Sequence, residues 1–168
     1  MCSCEEIDAI GILEATMKAM RTAVGNLHIT PDIALIDGNR SPGLPCPEQL
    51  LVEGDSRSLA IAAASVIAKV TRDRMMVELD RQYPAYGFAG HKGYGCQSHI
   101  DAIRRHGPCD IHRYTFSIVP QVAPAGIMPL LLKRRLTGSV TTGMLEQAAA
   151  GIARMSDYVS EKEIAELR

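Results

Sequence analysis

Apolar residues at Ile7, Ile10, Leu13, Met17, Met20 and Val24 recur every three or four positions, which predicts an amphipathic helix over 5–25. Gly25-Asn26 supplies its stop signal. After Thr30-Pro31-Asp32 the pattern changes to a short continuous apolar run, "IALID" at 33–37, which predicts a buried strand. Residues 38–49 are Gly- and Pro-rich and predict a loop, and "LLVE" at 50–53 predicts a second strand. A long helix is expected over 57–82, Ala-rich in its first half as suits close packing against a sheet, and ended by Pro84. Residues 83–96 predict a Gly- and Tyr-rich loop, and 97–106 a short helix closed by Gly107-Pro108. "HRYTFSIV" at 112–119 is expected to be extended or irregular. Pro120, Pro124, Gly126 and Pro129 then suggest a linker, followed by helices at 143–155 and 160–168, the second opened by a Ser160/Glu163 capping-box pattern. The order helix, strand, strand, helix, helix describes an α/β chain with few strands. Two strands make a poor sheet by themselves.

At 168 residues the chain is long enough for one domain with a hydrophobic core. Its net charge of −1 gives no global argument for nucleic acid or an acidic partner, so any basic surface must be local. "IMPLLL" at 127–132 is too short to span a membrane, and the N-terminus has neither a basic start nor an apolar signal core. A soluble, cytoplasmic chain is expected. Five scattered cysteines, an odd number, argue against a disulfide framework.

Two carboxylates follow the predicted strands. Asp37 can be read as an Asp-Gly turn, and Asp55 as a helix N-cap. If the two strands run in the same direction in one sheet, both side chains emerge at the same edge. Carboxylates converging there suit a hard cation such as Mg²⁺, and two such ions can activate water and stabilise a leaving oxygen in phosphodiester hydrolysis. Downstream, "HKGYG" at 91–95 offers Lys92 to a phosphate and Tyr94 as a stacking ring and hydroxyl, unless it is simply a surface loop. Between Arg81 and Arg113 there are five Lys or Arg against two Asp, with four of the five histidines. That region is a candidate phosphate-facing surface or a solvated basic face. A rival set, Cys96-x-x-His99 and Cys109-x-x-His112, has zinc-binding chemistry, although a predicted helix occupies its spacer.

The segments "EIDAIGILEATMKAM", "LIDGNR", "GDSRSLAIAAASVIAKVTRDRMM", "YGFAGHKGYG" and "HGPCDIHRYTF", in that order over residues 6–119, resemble type 2 ribonuclease H, ribonuclease HII. The resemblance implies a ribonuclease H-like mixed sheet flanked by helices. It also implies an endonuclease that cuts the RNA strand of RNA–DNA hybrids and single ribonucleotides embedded in DNA, with divalent Mg²⁺ or Mn²⁺ ions as cofactors. On that resemblance Asp37 and Asp55 are catalytic metal ligands, Tyr94 touches the ribose 2′-hydroxyl, and Lys92, Arg57, Lys69 and Arg72 lie on the substrate side. His99 and His112 match positions where the family holds no zinc.

The resemblance also has a gap. The family opens with Asp-Glu-x-Gly-Arg-Gly on its first strand, and this chain has no counterpart. Glu5, Glu6 and Asp8 sit at a helix start, where they favour the dipole instead. Residues 1–119 are therefore expected to be an N-terminally truncated catalytic domain, and 120–168 a linker and helical tail without assigned role. The alternatives are an inactive remnant that still binds hybrids or a partner, and a small zinc module. No obligate protein partner is inferred. The 33–37 strand would have an unpaired edge and the 5–25 helix an uncovered apolar face. The chain alone should be marginally stable and prone to aggregate, with little or no activity. A melting scan should show a broad, low transition; one sharp cooperative transition in a monomer would contradict this.

Overall fold

The computed structural model describes residues 1–124 and 126–137, and the helices expected at 143–155 and 160–168 lie outside them. The chain divides into two compact units, residues 1–75 and 76–168. It is a mixed α/β structure, mostly helical, with one small parallel sheet.

In the first unit the predicted 5–25 helix is two helices, α1 (Cys4–Ile10) and α2 (Ile12–Gly25). They break at Gly11, whose φ of +80° is open to glycine but strained for other residues. Ser3 and Glu6 close a capping box at the start of α1, and Glu6 also pairs with Lys18 at 2.5 Å. The Lys18 hydrogen bond is the main reason the Glu6 carboxyl is held below its ordinary pKa. Asn26 caps α2 as the Gly-Asn signal predicts.

Strand β1 (Ala34–Asp37) pairs in parallel with β2 (Glu48–Leu51), Ala34 opposite Glu48 and Asp37 opposite Leu51. The second strand thus starts two residues earlier than its apolar pattern suggests. The ladder sets its ends: Ala34 N–H donates to Pro47 O at 2.8 Å and Gly38 N–H to Leu51 O at 2.8 Å. Val52 is then exposed, and Glu53 turns into the left-handed region at φ 55°.

The expected 57–82 helix is also divided. A short α3 (Gly54–Arg57) is followed by an extended Ser58 and then α4 (Leu59–Gln82), whose last turns belong to the second unit. The Ala-rich half of α4 is not a packed face. Leu59 is 87% exposed, Val66 61% and Ile67 67%, and Ile61 is the one buried side chain of the helix. Ile10, Ile12 and Leu13 of the first two helices are exposed too. Apolar surface on this scale is a liability for a monomer.

The second unit holds more of the core. A 3-10 turn at Pro84–Tyr86, α5 (Phe88–His91) and α6 (Gln97–His106) follow α4. Residues 112–117 are irregular, as expected, but helices follow where the linker was predicted: α7 (Ile118–Val122) and α8 (Ile127–Thr137). Pro120 and Pro129 are each the third residue of their helices, where a missing N–H leaves no intrahelical bond unmade. Ile127, Met128 and Leu131 pack with Ile103, Tyr114 and Val119 in one buried cluster. Among the described residues no helix is long and apolar enough to cross a membrane.

Ile103 is 1% exposed at the centre of that cluster. Ile103→Ala should cost about 2–5 kcal/mol, as large-to-small core changes do. Urea unfolding followed at Tyr114 should show it, and a loss under about 1 kcal/mol would mean the cluster is not a packed core.

Candidate functional site

In the first unit the parallel register brings the ends of β1 and β2 to one sheet edge. Asp37 is the last residue of β1 and is exposed. Its Oδ1 accepts the Gly54 N–H at 2.9 Å, across 17 residues of sequence. The Asp-Gly turn reading therefore describes only part of Asp37, since its carboxylate is tied to the other strand's exit. Gly54 is buried, and a Cβ there would lie 2.6 Å from Ile61 Cδ1 and 3.2 Å from Asp37 Oδ1. A methyl group there would have to push the end of the Ile61 side chain aside and crowd the carboxylate.

Asp55 is next in sequence, in the first turn of α3, and is exposed. It is not the N-cap; Glu53 holds that position, with no side-chain cap bond. Asp55 Oδ1 instead accepts its neighbour Ser56's N–H at 2.9 Å, with the Ser56 hydroxyl at 3.5 Å. Two oriented carboxylates thus stand at one edge, an oxygen donor set suited to a hard divalent cation. The set is small: among the described residues no group of three or more His, Cys, Asp or Glu is placed to hold a metal.

The basic candidates of this unit are engaged locally. Arg57 Nη1 donates to Val52 O at 3.3 Å, within the same turn. Lys69 is paired along α4 with Asp73, at 2.7 and 2.6 Å from its two carboxylate oxygens. Arg72 is exposed one turn further along the helix.

In the second unit Tyr94 is 54% exposed and its backbone is closely held. Its N–H donates to His91 O at 2.9 Å, and its carbonyl accepts the Cys96 N–H at 2.9 Å and a bond from His99 Nδ1 at 3.0 Å. Gly93, at φ +77°, makes the turn before it. Lys92, itself at φ 52°, folds back so that its ammonium donates to Ala89 O. In the candidate basic stretch Arg81 pairs with Glu78, Arg104 with Asp101, and Arg113 lies over the Phe116 ring.

The zinc reading fails on geometry. Cys96 is exposed with its sulfur beside the Ser98 hydroxyl, and His99 and His112 are buried with their Nε2 atoms facing each other at 3.0 Å. Burial pushes the Cys109 thiol up to about 12, so it stands protonated beside His112. Of the histidines between 91 and 112, His99 and His112 are buried and face each other, while His106 is exposed with Arg104 and Arg105 at the end of α6.

The family model for Ribonuclease HII matches residues 2–119. The chain belongs to the ribonuclease HII family. Among curated relatives, ribonuclease HII of Geobacter metallireducens is 57% identical over 119 residues, 70% of this chain and 56% of the relative. The Vibrio vulnificus protein is 56% identical over 118 residues, and that of Aliivibrio fischeri 54% over 121. The chain thus spans a little over half the length of these ribonuclease HII relatives. All the site residues above fall inside the matched segment.

Gly54→Ala should lower stability by about 1–3 kcal/mol through the clash with Ile61. The Asp37 carboxylate should be displaced as well. Denaturant unfolding checks the first effect, and the Asp37 side-chain carboxyl ¹³C resonance the second; no change in either would mean the close approach is not a constraint.

Proposed function

We propose that this chain carries part of the site of an endonuclease that hydrolyses the RNA strand of RNA–DNA hybrids and cuts at single ribonucleotides embedded in DNA. The observation that supports this reading is the Gly54 N–H bond that ties Asp37, at the end of β1, to the residue before Asp55, inside a segment matched by the ribonuclease HII family. On this reading the two strands are part of a ribonuclease H-like mixed sheet flanked by helices, residues 1–119 are the catalytic portion, and 120–168 are assigned no role in catalysis. The chain works in the cytoplasm.

Asp37 and Asp55 are the metal ligands among the described residues. Family members typically use divalent metals, and Mn²⁺ or Mg²⁺, when bound, supplies an activated water and a clamp on the leaving oxygen. The chain's own residues do the rest. Gly54 N–H orients one oxygen of Asp37, which leaves Oδ2 for the cation. Ser56 does the same for Asp55. Tyr94, with an exposed ring on a fixed backbone, meets the ribose next to the cleaved phosphate. The 2′-hydroxyl is the group that distinguishes RNA from DNA there, so specificity must be read at it. Lys92, Arg57 and Lys69 exchange the Ala89 and Val52 carbonyls and the Asp73 carboxylate for phosphate oxygens, and Arg72 adds a further cation; the solvent-accessible Lys69–Asp73 pair is worth under about 1 kcal/mol.

A second reading is favoured by the small donor set: a chain that binds hybrids without cutting them. One experiment separates the two. A labelled DNA duplex with one embedded ribonucleotide is incubated with the full chain and Mg²⁺ or Mn²⁺, alongside Asp37→Asn. Cleavage that falls at least 100-fold in Asp37→Asn supports the metal role, because removing a carboxylate ligand removes the ion's anchor. Equal cleavage by both chains overturns it, and tight binding without cleavage by either selects the second reading. Tyr94→Ala should weaken cutting at single ribonucleotides more than in continuous hybrids; an unchanged preference removes Tyr94 from the sensor role.

A further inference from the structure

The buried histidines of the second unit are linked in a network whose protons can be placed, because its ends meet backbone groups that have no choice. The Tyr94 carbonyl can only accept, so His99 Nδ1, 3.0 Å away, must carry a proton. A neutral His99 then has a bare Nε2. The atom facing it at 3.0 Å is His112 Nε2, which must donate. That leaves His112 Nδ1 bare, and there the Cys109 N–H donates at 3.1 Å. The Cys109 sulfur, also at 3.1 Å, adds a second donor, since burial keeps this thiol protonated. Each proton has one place, and the assignment from either end agrees at the middle bond.

His91 is fixed by the same logic. Its Nε2 donates to Tyr86 O at 2.8 Å, and its Nδ1 accepts the Gly93 N–H at 3.2 Å. Its ring stacks on His99 at 4.4 Å between centroids. Two stacked, neutral imidazoles therefore hold the chain on either side of the Gly93–Tyr94 peptide, one through the Gly93 N–H and one through the Tyr94 carbonyl.

We propose that His99 and His112, with His91, are positioning residues for Tyr94: a directed chain of neutral imidazoles, running from Cys109 to the Tyr94 carbonyl, fixes the loop that presents the tyrosine ring. Its consequence for cleavage rests on the reading of Tyr94 as the ribose-facing residue; the hydrogen-bond chain itself does not.

The arrangement is specific to the neutral form. One added proton on His99 goes to Nε2 and sets N–H against N–H at the 3.0 Å contact, so the middle bond is lost; one on His112 goes to Nδ1 and sets N–H against the Cys109 N–H at 3.1 Å. His91 lies flat on His99, Phe88 touches both rings, and the Tyr86 ring sits 5.1 Å from that of His112. Asp110 and Tyr83 are felt at Cys109, at the far end of the chain. Burial holds the His99 pKa below its ordinary value. An unfolded chain protonates this histidine near its usual value of about 6.5, before the folded one does. Below that point the unfolded state binds more protons, so stability falls as pH falls, down through the lower folded value.

The test is imidazole ¹⁵N–¹H correlation of the labelled full chain over about pH 8 to 5, the range in which ordinary histidines titrate. At neutral pH His99 should be protonated at Nδ1, and His91 and His112 at Nε2. On acidification the Tyr94 amide and ring resonances should shift together with His99 and His112. His112→Gln, whose amide nitrogen can donate to His99 in place of Nε2–H, should keep the Tyr94 resonances near wild type and weaken their acid-side shift. His112→Leu should move them at every pH. The opposite tautomer at His99 or His112 overturns the proposal even if the leucine variant fails to fold, as do Tyr94 resonances indifferent to both substitutions. If the tautomers and shifts are as stated while Tyr94→Ala keeps its cleavage preference, the positioning chain stands and the ribose-sensing assignment falls.

Discussion

The hydrogen bond from the Gly54 N–H to the Asp37 carboxylate is the interaction on which the first unit's chemistry depends. It ties the end of one strand to the exit of the other, and it sets Asp55, the next residue, beside the same edge. A parallel pair is needed for this, because only strands running the same way finish together. The β1–β2 connection of ten residues, 38–47, is loop and brief turn without a crossover helix. The close approach also explains the glycine: Ile61 packs where a side chain would go, so the carboxylate's position and the start of α4 are coupled through one buried residue.

The second unit solves a different problem. On the proposed reading Tyr94 meets a ligand, and an exposed ring on a slack loop would be poorly aimed. Here the ring is outside while its backbone is held by His91, Cys96 and His99, with two of the imidazoles stacked. Ordering the loop before binding reduces the entropy that binding must overcome. The arrangement is stable only while the buried histidines remain neutral, which makes their desolvation part of the design.

Much of this was legible in the residues. The apolar run 33–37 ends at Asp37 as a strand, Gly25-Asn26 stops a helix, and the Gln97–His106 helix lies where its pattern places it. The ordered motifs over 6–119 carried the family. What was not legible has physical causes. Gly11 breaks a helix whose apolar period runs straight through it, because period does not register backbone φ. Pro120 and Pro129 read as breakers but sit in first turns, where proline is tolerated. The β2 register came from ladder bonds to β1, and its own apolar residues pointed two positions downstream. The Ala-rich half of α4 has the composition of a packed helix, yet Leu59, Val66 and Ile67 are exposed. At the site, Asp55 followed cap statistics that its actual place inside α3 does not obey. The histidines suggested charge or zinc because spacing cannot tell a ligand from a buried hydrogen-bond partner.

The central claim is that the edge formed by Asp37, Gly54 and Asp55 is where a divalent cation is held. The most direct measurement is Mn²⁺ titration of the ¹⁵N-labelled full chain, following paramagnetic broadening of each backbone amide. The account predicts that the amides of Asp37, Gly38, Gly54, Asp55 and Ser56 broaden first, and that Asp37→Asn removes the effect. Broadening that begins elsewhere, or that survives Asp37→Asn unchanged, would contradict it.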